Sequence, residues 1–389
     1  MENFVFKNVT KIIFGRGTEG AAGQEMKALG KKVLLHYGSG SIKKSGLYDK
    51  VVDSLKRSGV EYIELGGVKP NPRVSLVREG IGLCRENGVD SILAVGGGSV
   101  IDSAKGIAAG FYHSGDVWDL YMRKGSVDRA LPIGVVLTIP AAGSESSSGS
   151  VVTNEDGGLK RDIGYEFLRP VFAIMNPELC FTLPLYQIAC GASDIIAHIM
   201  ERYFTNTRGV DFIDRLSEAT LTTIVNNVPK ILEKQDDYEA WSEVMWAGTI
   251  AHNDLLGTGR DQDWASHQIE HEMSGMYDIA HGAGLAIIFP AWMKYVYKHD
   301  VSRFCQFATR VWNVEPDFFN PEKTALEGIR RTEAFFKSLG LPVRFSDAGL
   351  DDKGFEEMAA KCTNNGARTV GGFVKLGMTD IVNIYRLAK

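Results

Sequence analysis

Asp194 and His198 stand four apart in GASDIIAHIMERYF, and on a helix two side chains at that spacing rise from one face, one turn above the other. They form a chelating pair. Further along, WASHQIEHEMSGMYDIAHGAGLA brings in His267, His271 and His281, three of the eight histidines of the chain. One Asp with two or three His completes a divalent metal site, and that mixture of carboxylate and imidazole suits Zn²⁺, Fe²⁺, Co²⁺ or Mn²⁺. Spacing does not choose between His271 and His281 as the last ligand: His267 and His271 form their own i,i+4 pair, and His281 leads into Gly282. His252, isolated in WAGTIAHND, reads as an ordinary helix residue.

A second signal is VGGGSVIDSAK, where Gly97 and Gly98 separate an apolar run from a helix beginning near Ser99. Glycines let the backbone come close to a ligand, and the helix start offers unpaired N–H groups and positive dipole, a setting for a pyrophosphate. The spacing is not GxGxxG, so an ordinary Rossmann fingerprint is absent. A third is the turn after KKVLLHYG, which runs Gly38, Ser39, Gly40, Ser41, Ile42, Lys43, Lys44. NAD-binding α/β domains commonly place a carboxylate after such a strand, whereas a 2′-phosphate needs donors or positive charge there. With no acid, two hydroxyls and two lysines, Gly38, Ser39 and Ser41 predict a preference for NADP(H).

The elements that must position these residues change character along the chain. KKVLLHYG, VEYIELGG, SILAVGGG and PIGVVLTIP are short apolar runs separated by segments of helical periodicity such as SIKKSGLYDKVVDSLKRSG and RVSLVREGIGLCREN. Strand and helix in alternation predict a parallel sheet covered on both faces. The run AAGSESSSGSV is expected to be a loop over the carboxyl edge of that sheet, where ligands of such folds bind. After PVFAIMNPELCFTLP the strands stop and long helical patterns follow one another to the end. The expectation is two domains: residues 1–179 as a dinucleotide-binding α/β domain with a Rossmann-like sheet, and 180–389 as an all-helical metal-binding domain. A chain of 389 residues exceeds what one core usually supports.

Composition narrows the function classes. With 44% hydrophobic residues, 23% charged residues and a net charge of −5, the chain shows no basic footprint for nucleic acid or an anionic membrane. No run of eighteen apolar residues and no N-terminal apolar segment before a small-residue cleavage site occurs, so a cytoplasmic protein is expected. Five scattered cysteines without CxxC spacing read as free thiols and receive no role.

The pattern DxxxH followed by HxxxHxxxxxxxxxHG resembles the iron-containing (group III) alcohol dehydrogenases, and DWASHQIEHEMSGMYDIAHGAGLAIIFPAWMKY is similar to their NADPH-dependent butanol dehydrogenase and aldehyde reductase branch. The resemblance runs from end to end. It implies a two-domain, dehydroquinate synthase-like fold and one divalent ion, Fe²⁺ or Zn²⁺, held by Asp194, His198, His267 and His281. It places His271 beside the metal, facing nicotinamide and substrate, as the residue that orients substrate or relays the proton. GGGSxxDxxK matches the family's dinucleotide motif, with Gly97, Gly98 and Ser99 on the phosphates and Asp102 toward the nicotinamide; Asn71, Thr138, Ser147 and Lys160 fall at positions lining the cofactor cleft. The family's DPxL reads Asn176-Pro177-Glu178-Leu179 here, and its loop threonines and asparagines are largely Ser or Ala, as at Ala142 and Ser147. The activity implied is hydride transfer between NADP(H) and a short-chain alcohol or aldehyde, where the domains face each other, by a homodimer with no nucleic-acid or membrane partner. An NAD-dependent polyol dehydrogenase or dehydroquinate-synthase-like enzyme shares the plan, and a non-catalytic sensor would be expected to lack a ligand.

Overall fold

The computed structural model describes all residues, Met1–Lys389. They form two compact units: Lys7–Leu183 with Asp236–Asn253, and Met1–Phe6 with Pro184–Gln235 and Asp254–Lys389. In the first, chain order runs β1 (Lys11–Phe14), α1 (Ala22–Lys27), β2 (Lys32–Gly38), α2 (Ser41–Lys44), α3 (Leu47–Arg57), β3 (Glu61–Val68) and α4 (Val74–Asn87). Then follow β4 (Ser91–Gly96), α5 (Gly98–Tyr112), α6 (Trp118–Tyr121), β5 (Ile133–Leu137), β6 (Gly149–Asn154), β7 (Leu159–Gly164) and β8 (Phe172–Met175). Six strands make one sheet in the order β1-β8-β5-β4-β2-β3, every pair parallel.

A parallel sheet covered on both faces needs strands apolar throughout. Every residue of β4, β5 and β8 is buried, and so are all five inner residues of β2. The segment SIKKSGLYDKVVDSLKRSG, read from periodicity as one helix, is two: Gly46 at φ 76 separates α2 from α3, in a left-handed conformation that glycine adopts without the usual Cβ clash. The small-residue run after β5 does form a loop, but beyond it β6 and β7 pair as an antiparallel hairpin, from Gly149↔Gly164 to Asn154↔Leu159.

The second unit is helical: α7 (Leu185–Tyr203), α8 (Asp211–Glu233), then, after α9 (Tyr238–His252), α10 (Ala265–Tyr277), α11 (His281–Val296), α12 (Val301–Trp312), α13 (Pro321–Ser338), α14 (Phe355–Cys362) and α15 (Met378–Leu387). The intervening α9 groups with the α/β unit, not with the helices that flank it in sequence. There Thr249 of α9 donates to the buried Glu145 carboxylate (2.6 Å), in the loop after β5. In the helical unit α11 is buried without interruption from Gly282 to Met293, as expected of a helix apolar all round. Phe204, at the end of α7, stacks on Phe304 of α12 (ring centroids 4.5 Å apart) and meets Trp292 of α11 edge-on at 5.4 Å. No helix is long and apolar enough to cross a membrane.

Candidate functional site

Three helices of the helical unit carry the metal-type residues. Asp194 and His198 lie on α7, His267 and His271 on α10, and His281 opens α11. Donor atoms of Asp194, His267 and His281 all lie within 4.8 Å of one another. Asp194 Oδ1 is 3.8 Å from Nε2 of both His267 and His281, and His198 Nδ1 stands 3.1 Å from the same oxygen. Donors that share one ion at about 2.1 Å stand roughly 3 to 4 Å apart. Oδ1 of Asp194 and Nε2 of His267 are buried and make no hydrogen bond, a costly state for polar atoms unless something else takes up their lone pairs. The donor set therefore fits a divalent cation.

Electrostatics agree. Burial alone would raise the Asp194 pKa, but His198, His281 and His267 outweigh it and hold the carboxyl well below the usual range. Burial drives His198 well below its ordinary value, which keeps that imidazole neutral and able to ligate. Burial works in the same direction on His267, yet the carboxylates of Asp194 and Glu201 prevail and hold it up to about 9. A positive charge is thus favoured at this spot even without an ion.

The close fit has a backbone cause. A Cβ on Gly282 would lie 2.0 Å from the carbonyl oxygen of Cys190, so α11 crosses α7 backbone against backbone. That brings the first residue of one helix beside the middle of the other. Glu201, two turns after Asp194 on α7, accepts from the backbone N–H of Trp264 (2.7 Å) and of His267 (3.0 Å), so it caps α10 and sets that helix against α7. His271 is 9% exposed, its ring 5.6 Å from that of His281, and it falls with Glu270 and His281 in a second group of donors within 4.8 Å.

Two residues of this centre escaped the sequence reading. Glu201 Oε1 takes the Nδ1–H of His267 (2.7 Å), and Glu270 Oε2 takes that of His281. Both carboxylates are fully buried. The available signal is spacing: each acid lies three residues after a histidine of the cluster, His198 to Glu201 and His267 to Glu270.

The nucleotide-type residues belong to the α/β unit and follow successive strands. Gly38, Ser39 and Ser41 come at the end of β2, Asn71 after β3, Gly97, Gly98 and Ser99 after β4, and Thr138 after β5. From β2 the chain passes outward to β3, whereas from β4 it passes to β5 on the opposite side. The topological switch point therefore lies between β2 and β4, where open α/β sheets bind ligands. Ser39 and Ser41 are exposed, Gly38 and Gly97 to Ser99 half-buried, and Asn71 is buried at φ 53. Cβ atoms on Gly97 and Gly98 would stand 2.2 Å from Ile139 and 2.8 Å from Ala142, so these glycines also let the segment after β5 lie against the turn.

Asp102, Ser147 and Lys160 meet a different environment. Asp102 accepts from the Ser144 hydroxyl (2.5 Å) and the Val151 N–H (3.0 Å); burial raises its pKa against the opposing charges of Lys105 and Lys160. Ser147 is buried and offers its carbonyl (2.8 Å) and hydroxyl (3.3 Å) to Lys105 Nζ. Lys160 is buried on β7. Lys105, the last residue of the GGGSxxDxxK motif, to which the sequence reading gave no role of its own, is wholly buried and also donates to the carbonyls of Ser144 (2.7 Å) and Gly149 (2.8 Å). Asp102 and Lys105 of α5 thus clamp the loop over the carboxyl edge. In the turn after β2, the Lys43 ammonium is 3.5 Å from Glu64 and lies over the rings of Tyr37 and Tyr48.

Comparison with known proteins now bears on the whole chain. Residues 9–177 match the family model for iron-containing alcohol dehydrogenase, and 188–389 match that for the C-terminal part of the Fe-containing alcohol dehydrogenase family. The chain is 43% identical to a probable NADH-dependent butanol dehydrogenase 1 of Bacillus subtilis (strain 168), over 99% of each. It is 37% identical to an NADPH-dependent aldehyde reductase of Escherichia coli (strain K12), over 100% of each. The crystal structure of an NADH-dependent butanol dehydrogenase A from Thermotoga maritima superimposes with a TM-score of 0.96 at 43% identity, covering 100% of this chain and 99% of that one. This chain belongs to the iron-containing alcohol dehydrogenase family, in its butanol dehydrogenase and aldehyde reductase branch, and is an oxidoreductase.

Proposed function

We propose that the protein reduces short-chain aldehydes to alcohols, and runs the reverse reaction, with NADP(H) preferred to NAD(H) and one divalent ion, Fe²⁺ or Zn²⁺. The observation that carries the metal-dependent reading is the buried pair of atoms without hydrogen bonds, Asp194 Oδ1 and His267 Nε2, with His281 and His198 beside them. Asp194, His198, His267 and His281 would hold the ion. When bound, it supplies Lewis acidity toward the substrate oxygen as negative charge develops there during hydride transfer. The dinucleotide, whose nicotinamide C4 supplies or accepts the hydride, would be held by the turns at Gly38 to Ser41 and Gly97 to Ser99, with Asn71 and Thr138 from the neighbouring strand ends. Asp102, Ser147 and Lys160 would support it through the loop clamped by Lys105.

His271 is the residue of this chain that orients substrate and moves the proton: it is an imidazole beside the cluster, and imidazole is the side chain best suited to proton transfer near neutrality. The NADP(H) preference is supported by the lack of an acid between residues 38 and 44; because Glu64 engages Lys43, the donors left for a 2′-phosphate are Ser39, Ser41 and Lys44. B. subtilis and T. maritima relatives named NADH-dependent stand beside the E. coli one named NADPH-dependent, so the turn itself has to be tested. A cytoplasmic homodimer belongs to the same reading, as the family resemblance implies. A panel of short aldehydes and of glycerol-type polyols, assayed with NADPH and with NADH, before and after chelation, tests the proposal. Aldehyde reduction lost on chelation and restored by Fe²⁺ or Zn²⁺ is expected; full activity in metal-free protein, or turnover of polyols alone, contradicts it.

A further inference from the structure

We propose that Glu201 and Glu270 are positioning residues for the metal centre, each holding one ligand histidine in a single tautomer and orientation. The inference rests on the metal-binding reading above. His267 and His281 both turn Nε2 toward Asp194 Oδ1, at 3.8 Å in each case, and both turn Nδ1 toward a fully buried carboxylate. A carboxylate accepts and cannot donate, so in the neutral ring the hydrogen bond fixes the proton on Nδ1, and it is Nε2, the nitrogen facing Asp194, that gives up its proton to take an ion. The arrangement occurs twice, on different helices. Glu201 reaches His267 from α7, and Glu270 reaches His281 from α10, so each of the two bonds ties a ligand to a neighbouring helix.

The two acids are anchored differently. Glu201 also receives the backbone N–H groups of Trp264 and His267, while Glu270 also receives the Ser274 hydroxyl. Glu201 therefore has a helix-capping duty besides its histidine. Both bring negative charge within one imidazole of the Asp194 carboxylate, making the pocket more attractive to a divalent cation than its four donors alone. Carboxylate partners of ligating histidines are worth about 10- to 100-fold in metal affinity.

The test is Zn²⁺ affinity, measured by competition with a chromophoric chelator on metal-stripped parent, Glu201→Gln and Glu270→Gln, together with ¹⁵N spectra of histidine-labelled protein to read each ring's tautomer. Read above pH 9, where His267 has lost its second proton, the parent should show His267 and His281 with the remaining proton on Nδ1. Each variant should bind Zn²⁺ about 10- to 100-fold more weakly, with helix content unchanged and its own histidine, not the other, losing the single tautomer. Affinity within a few-fold of the parent and an unaltered tautomer overturns the proposal. If Glu201→Gln fails to fold, its role is that of a cap and that half is overturned, while Glu270→Gln decides the other half. A parent that takes up no Zn²⁺ overturns the metal-binding reading instead, so the two failures are distinguishable.

Discussion

A histidine is a scarce residue with narrow uses, which is why the metal-type cluster could be read from the chain alone while its buried acids could not. Asp194, His198 and the histidines at 267, 271 and 281 stand out by spacing, and the family resemblance chooses His281 over His271 as ligand; Glu201 and Glu270 look like any helix acids until burial and partners are known. The same limit applies to Lys43. In sequence it is one of two lysines after a serine turn, and in space its charge is engaged by Glu64. Cofactor choice at this scale falls on Ser39. A carboxylate about 4 Å from a phosphate charge at an effective dielectric of about 20 costs roughly 4 kcal/mol, so even a strongly screened acid reverses a preference. Ser39→Asp is expected to move kcat/KM toward NADH by at least tenfold relative to NADPH. A parent that already favours NADH contradicts the NADP(H) reading.

At the scale of elements, buried strands announced themselves because a parallel sheet demands unbroken apolar runs, as in β2 and β4. The β6–β7 hairpin did not, because the first strand emerges from a serine- and glycine-rich run and the second, LKRDIG, is half polar. Nor could periodicity tell that α9 groups with the α/β unit, since an apolar stripe does not name its partner. The crossing of α7 and α11 is the element contact on which the cluster of Asp194, His198, His267 and His281 depends. Gly282→Ala would drive a methyl against the Cys190 backbone, where no flexible side chain can yield. Overpacking of this kind costs typically about 1 to 3 kcal/mol, and here it also displaces His281 from α7. A lowered unfolding midpoint with at least tenfold weaker metal binding is expected; Ala at 282 with both properties unchanged contradicts the account of this crossing.

At the scale of the whole molecule, two units and their fold classes follow from the change from alternating strands and helices to helices alone. What composition could not foretell is how the α/β unit responds to acid. His36 is wholly buried in β2, donating from Nδ1 to the Leu65 carbonyl (2.8 Å), with Nε2 2.9 Å from the Ser103 hydroxyl. Burial lowers its pKa to about 4, against about 6.5 in an unfolded chain. The unfolded state therefore binds the proton more readily, so the contribution is intact above pH 6.5 and is lost as pH falls toward 4, by roughly 3 kcal/mol. Urea unfolding of the parent and His36→Gln between pH 7 and pH 4 checks this. The variant is expected to lose less stability on acidification by about that amount; parallel curves contradict it.

The most direct measurement is metal stoichiometry and affinity alongside turnover, in the parent, in Asp194→Ala, His198→Ala, His267→Ala and His281→Ala, and in His271→Ala. The account predicts one divalent ion per chain in the parent, severe loss of affinity in each of the four ligand variants, and in His271→Ala a full complement of metal with turnover reduced by about 10² to 10⁴. Metal-free His271→Ala together with metal-replete His281→Ala, or full aldehyde reduction by a metal-stripped parent, would contradict it.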